Sequence, residues 1–148
     1  MSLIIACNAK KSETANVIDK EQLKKEIQAK EDEFASLYNA GEMKNIGYYA
    51  DDATSFSQNN EPLVGKTAII EYLKANIDSL DKANKISFST KEVFVSSDAR
   101  LVVEIGHYTV VDATNTLVNT GNYMVLFEKR NGNYFSIRDM SASDGSVK

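Results

Sequence analysis

The stretch TGNYMVLFEKRNGNYFSIRDM, Thr120 to Met140, decides the fold. An Asn-Gly pair, Asn131-Gly132, stands between two strand-like runs, a pattern that favours a two-residue type I′ β-hairpin. Such a turn fixes the pairing register. It places Tyr123 opposite Met140, Val125 opposite Arg138 and Leu126 opposite Ile137. Working outward, the second half of the chain reads as four strands: KISFSTKEVFVS, ARLVVEIGHYTVVD, TLVNTGNYMVLFEKR and NYFSIRDMSAS. The first changes parity between Thr90 and Val93, which predicts a β-bulge. The connection near Ala113–Thr116 is longer than a two-residue turn. With its centre at Thr114, His107 falls opposite Gly121 and Ile105 opposite Tyr123.

The first half reads as helices. Asp19 stands three residues before Gln22 in a capping-box pattern. Leu23, Ile27, Phe34, Leu37 and Tyr38 then follow on one face at helical spacing, and Gly41 is placed to end the helix in a left-handed cap. The run KKEIQAKEDE within it has mixed charge and reads as a solvated face. Met43, Ile46 and Tyr49 suggest a second, short helix. DDATSFS reads as a turn into a short strand, with Asp51 and Asp52 in turn-forming roles; the alternative is that one of them pairs with Arg138. Thr67 to Leu80 forms a third helix, with Ile69, Ile70, Leu73, Ile77 and Leu80 inward.

The length of 148 residues fits one domain. Net charge is −4 and the basic residues are spread out, so the basic face of a nucleic-acid binder is missing. No apolar run approaches the ~20 residues that span a membrane. One Cys and one His make a zinc site of those ligands a poor fit, and no metal or cofactor is expected. The GKT of EPLVGKT lacks the earlier glycine of a phosphate-binding loop, with Asn60 in its place. The lone cysteine is informative by position. Ile4-Ile5-Ala6-Cys7 resembles the cleavage box of a bacterial lipoprotein, with Met1-Ser2-Leu3 in place of most of a signal peptide. A polar segment follows. Residues 1–18 are therefore expected to be a disordered tether, lipidated at Cys7 and anchoring a 19–145 domain at the cell envelope. The lipid is the only membrane contact expected.

The order helix, helix, strand, helix and four long strands resembles the nuclear transport factor 2-like superfamily, and within it the SnoaL-like and ketosteroid-isomerase-like group. The resemblance covers Glu21 to Asp144. It is carried by NAGEMKNIGYYADDATSFS, EPLVGKTAIIEYL, TGNYMVLFEKRNGNYFSIRDM and the closing SASD. It implies an α+β fold, a cone of three N-terminal helices packed on a curved antiparallel sheet (a cystatin-like roll), with a pocket between the layers. Members include isomerases, cyclases, dehydratases and binding domains, so the fold leaves function open. In ketosteroid isomerases a motif much like YADDAT is followed three residues later by the proton-moving Asp. Here that place holds Ser57, a poor general base. The oxyanion-hole Tyr of the first helix is matched by Phe34, which donates no hydrogen bond. The resemblance thus carries the fold without that chemistry.

Strand alternation groups His107 with Ile105, Thr109, Tyr123, Val125 and Arg138. An imidazole there is either a candidate acid/base or a buried histidine satisfied by a hydroxyl such as that of Tyr123. Arg138 either forks onto a ligand carboxylate or pairs with an Asp or Glu of the helices. The resemblance implies that the aromatic five residues before the closing Asp139, here Tyr134, faces the helices, and its parity puts Arg138 and Met140 inward with it. The expected pocket comprises Tyr49, Phe56, Tyr72, His107, Tyr123, Arg138 and Met140, with Tyr134 also a candidate. Both sheet faces are apolar over much of their length. Because a solvated face should alternate polar, the outer one is expected to be covered by a second copy. Two functions remain open. One is a domain that binds a small hydrophobic or anionic ligand without catalysis. The other is a cofactor-free isomerase, cyclase or lyase with His107 as acid/base.

Overall fold

The computed structural model describes residues 18–79 and 83–145. The first helix, α1, spans Lys20–Ala40. Asp19 caps it by accepting hydrogen bonds from the backbone N–H groups of Glu21 and Gln22, and Gly41 ends it with φ +74°. Its stripe of Leu23, Ile27 and Phe34 is buried. The expected second helix is a single 3₁₀ turn, Met43–Asn45. Gly41 and Gly47 leave too few residues between them for an α-helix. The chain then enters strand β1 (Tyr49–Ser57), crosses a short β2 (Leu63–Val64) and forms α2 (Lys66–Ser79). Ile69 of α2 is buried in the core, and Leu80 lies outside the described residues. There are thus two α-helices among the described residues, where three were expected.

Strands β3 (Lys85–Val95), β4 (Leu101–Val111), β5 (Leu117–Arg130) and β6 (Asn133–Ser143) follow. The sheet order is β2-β1-β6-β5-β4-β3. The last four strands form an antiparallel meander, but β1 runs parallel to β6, so the sheet is mixed. A hairpin cannot join parallel neighbours. Most of the chain, α2 included, forms the crossover between them. Asp51 and Asp52 are not in a turn. They lie exposed within β1. The Asp52 carboxylate accepts two hydrogen bonds from Arg130, at 2.7 and 3.0 Å, while the Arg138 guanidinium reaches only the Asp52 backbone oxygen.

The Asn131-Gly132 turn forms as expected, with positive φ at both residues (52° and 84°). Beyond it the register changes. Phe127 pairs with Ser136, but Leu126 pairs with Arg138, which leaves Ile137 as an extra residue in β6. Val125 therefore faces Asp139 and Tyr123 faces Ser141, in place of the expected Arg138 and Met140. A similar slip separates β4 from β5. Val111 pairs with Leu117 around a loop centred on Thr114, then Val110 pairs with Asn119 past an extra Val118. His107 consequently faces Asn122, and Tyr123 faces Gly106. The bulge in β3 falls between Thr90 and Glu92, where the parity change placed it.

Each one-residue slip moves all side chains beyond it to the other face. The helix-facing side therefore carries Val102, Glu104, Tyr123, Val125, Phe127 and Tyr134, all buried except at their edges. The opposite face carries Phe56, Phe94, Leu101, Met124 and Met140, each 40% exposed or more.

Candidate functional site

Between α1, α2 and the inner sheet face lies a cavity of about 400 Å³. Its walls are Phe34 and Tyr38 of α1, Leu73 of α2, and Ile86, Phe88 and Val110 of the sheet. Its mouth carries neutral polar groups, among them Ser57, Gln58, Asn60, Tyr72, Asn119 and Ser141. Its deep end carries Glu31, Asp139, Tyr48, Tyr49 and Tyr123. Phe34, Tyr48, Tyr49, Phe88 and Tyr123 form one aromatic cluster, with successive ring centroids 5.0 to 6.2 Å apart.

Sequence reasoning missed the acidic groups that dominate the deep end. Glu31 belongs to the charged run read as a solvated face, yet it is 2% exposed. The spacing Leu23, Ile27, Glu31, Phe34 places it on the buried stripe, and that interruption was the available signal. Tyr48 Oη donates to Glu31 Oε1 at 2.5 Å. Glu104, fully buried on β4, accepts from Thr90 Oγ1 at 2.6 Å and Tyr123 Oη at 2.8 Å. Its other oxygen, Oε2, is buried without a hydrogen-bond partner. Burial, and then the charge of Glu104, hold the Glu31 pKa well above the ordinary carboxyl range. Burial also raises Glu104, against its hydrogen bonds from Thr90 and Tyr123. Two neighbouring buried carboxyls cannot both ionise cheaply, so Glu31, the more strongly raised, is the neutral one of the pair.

Asp139 owes its inward position to the Ile137 bulge. Burial pushes its pKa up to about 6, while the Ser55 and Tyr49 hydroxyls hold it down. Its Oδ1 is buried and has no hydrogen-bond partner. A carboxyl poised there exchanges a proton near neutral pH.

The expected pocket divides in two. Tyr49, Tyr72 and Tyr123 line the cavity. Phe56, Arg138 and Met140 lie on the outer face, around a shallow depression with Val103, Met124 and Leu126. His107 alternates with Ile105 and Thr109 on that outer side, away from Tyr123. Arg138 is exposed, and its guanidinium donates to the backbone oxygens of Asp52 and Ile137. Tyr134 does face inward, but as core: it is 1% exposed and donates to the Ala99 oxygen at 2.6 Å. Cys7 lies outside the described residues.

A domain of unknown function with a cystatin-like fold from Nostoc punctiforme superposes with a TM-score of 0.72 at 13% identity, over 88% of this chain and 81% of that one. A nuclear transport factor 2-like protein from Novosphingobium aromaticivorans gives 0.69 at 15%, over 86% of each. The fold is cystatin-like. A ketosteroid isomerase-like protein from Erwinia carotovora atroseptica shares this cystatin-like fold, with a TM-score of 0.62 at 18% identity, over 87% of this chain and all of that one. No protein-family model and no curated protein sequence matches the chain. Within the cystatin-like cone, Phe34 and Ser57 both line the cavity.

Proposed function

We propose that the chain is a small-molecule-binding domain displayed on the bacterial cell envelope, its ligand held in the cone. The observation that carries this reading is the cavity itself. Its volume falls in the range of ligand sites, its walls are aromatic and aliphatic, and polar groups sit at both ends. That Ser57 and Phe34 line it supports a role without ketosteroid-isomerase chemistry, since they supply neither a strong base nor an O–H donor. Lipidation at Cys7 would hold the domain at the membrane, and Cys7→Ser should release it to the soluble fraction. A second copy would cover the apolar outer face.

A second reading, a cofactor-free isomerase, cyclase or lyase, draws its support from Asp139. This carboxyl faces the cavity with a free buried oxygen and a pKa near neutrality, the properties of a proton-transferring group. His107, on the other face, loses that role.

Mass spectrometry of protein purified from its native host tests the binding reading. Wild type should release a small molecule that a Ser141→Trp variant, with an indole in the mouth of the cavity, lacks. A wild-type protein carrying no more than the variant contradicts it.

A further inference from the structure

We infer that the cavity takes a small organic amine with an apolar body, its protonated nitrogen seated at the Asp139 end. This rests on the binding reading above and adds the chemistry of the ligand. The deep end offers acceptors and almost no donors. The Tyr48 and Tyr123 hydroxyl protons are committed to Glu31 and Glu104. Asp139 Oδ1 is buried without a donor. No Lys, Arg or His is among the described residues that line the cavity, and Arg138, the cation expected to receive an anionic ligand, is on the outer face. An anion would meet carboxyl oxygens with no countercharge. A wholly apolar ligand would strip water from Asp139 and leave its orphan oxygen unpaired, which is costly. An ammonium supplies the missing donor and the missing charge together.

The walls fit the same ligand. Ring faces attract a cation placed over them, and Tyr48, Tyr49 and Phe34 cluster at the end where Asp139 lies. The titratable groups that face Asp139 are Glu31 of α1 and Tyr49 of β1, while its β5 partner is Val125. Glu31 stays neutral and Tyr49 stays a phenol, because burial raises both. Asp139 is then the group that ionises, largely complete at neutral pH.

Isothermal titration of the full chain with phenethylamine and with 2-phenylethanol, its neutral near-isostere, tests this. The amine should bind at least about tenfold more tightly, the equivalent of one ion-paired hydrogen bond. Its affinity should fall as the pH drops through about 6. Asp139→Asn, with circular dichroism to check the fold, should bring the two probes within about twofold of each other. The wild-type comparison and its pH profile need no variant. Alcohol bound as tightly as amine overturns the assignment yet leaves the cavity a binding site. Amine preference that survives Asp139→Asn or ignores pH overturns the role of Asp139. A folded wild type that binds neither probe also overturns the amine assignment, while the binding reading is judged separately by the co-purified small molecule.

Discussion

Glu31 occupies a place on the α1 stripe where an apolar residue would serve the core better. Its cost has a pH signature. The unfolded carboxyl ionises at its ordinary value, whereas the folded one ionises only well above it. Between those values the unfolded chain is the state that loses the proton, so stability falls as the pH rises. That is opposite to acid denaturation driven by salt-bridged carboxylates. Glutamine keeps an oxygen for Tyr48 and puts an N–H where the neutral acid puts its proton. Each pKa unit removed is worth about 1.4 kcal/mol, so Glu31→Gln should gain at least about that at neutral pH and little in mild acid. Urea denaturation at both pH values measures it, and a Glu31→Gln protein less stable at neutral pH would refute the neutral-acid assignment. Little of this was legible in sequence. A charged run hides one buried carboxylate among solvated neighbours, and only its spacing against Leu23, Ile27 and Phe34 marks it.

The elements were more legible than their faces. Capping by Asp19, the Gly41 stop, the Asn131-Gly132 turn and the β3 bulge each have a local chemical cause within a few residues, and each formed as read. The slips at Val118 and Ile137 have none, since no glycine or turn residue marks them. They reversed the inward set, removing His107 and Arg138 from the cavity side, bringing Asp139 to the cavity and turning Glu104 into the core. Gly106 is the trace the pairing leaves in the sequence. Tyr123 lies across the strand from it, and a Cβ at Gly106 would run into the Tyr123 ring. Gly106→Ala should therefore displace that ring from Glu104 and cost about 1–3 kcal/mol, as overpacking does. Denaturant unfolding checks this, and a neutral effect would put the β4–β5 register in doubt.

At the scale of the whole molecule, the cone has two apolar surfaces, one closed over the cavity and one open. The open face joins Phe56, Met124 and Met140 in adjacent strands, a patch of the kind that marks a protein interface. Light scattering of dilute protein should give about twice the 16.4 kDa chain mass, and Met124→Lys should give a monomer whose helices stay folded. A wild type that runs as a clean monomer would count against the second copy. The closed side is the more consequential, because both the amine assignment and the catalytic reading require Asp139 to face the cavity with its carboxyl buried. A carbon-13 NMR titration of the Asp139 carboxyl measures that directly. Buried at the cavity, Asp139 should titrate with a midpoint near 6 that moves down when phenethylamine is added. A midpoint in the ordinary range of a solvated aspartate, unmoved by the amine, would contradict it.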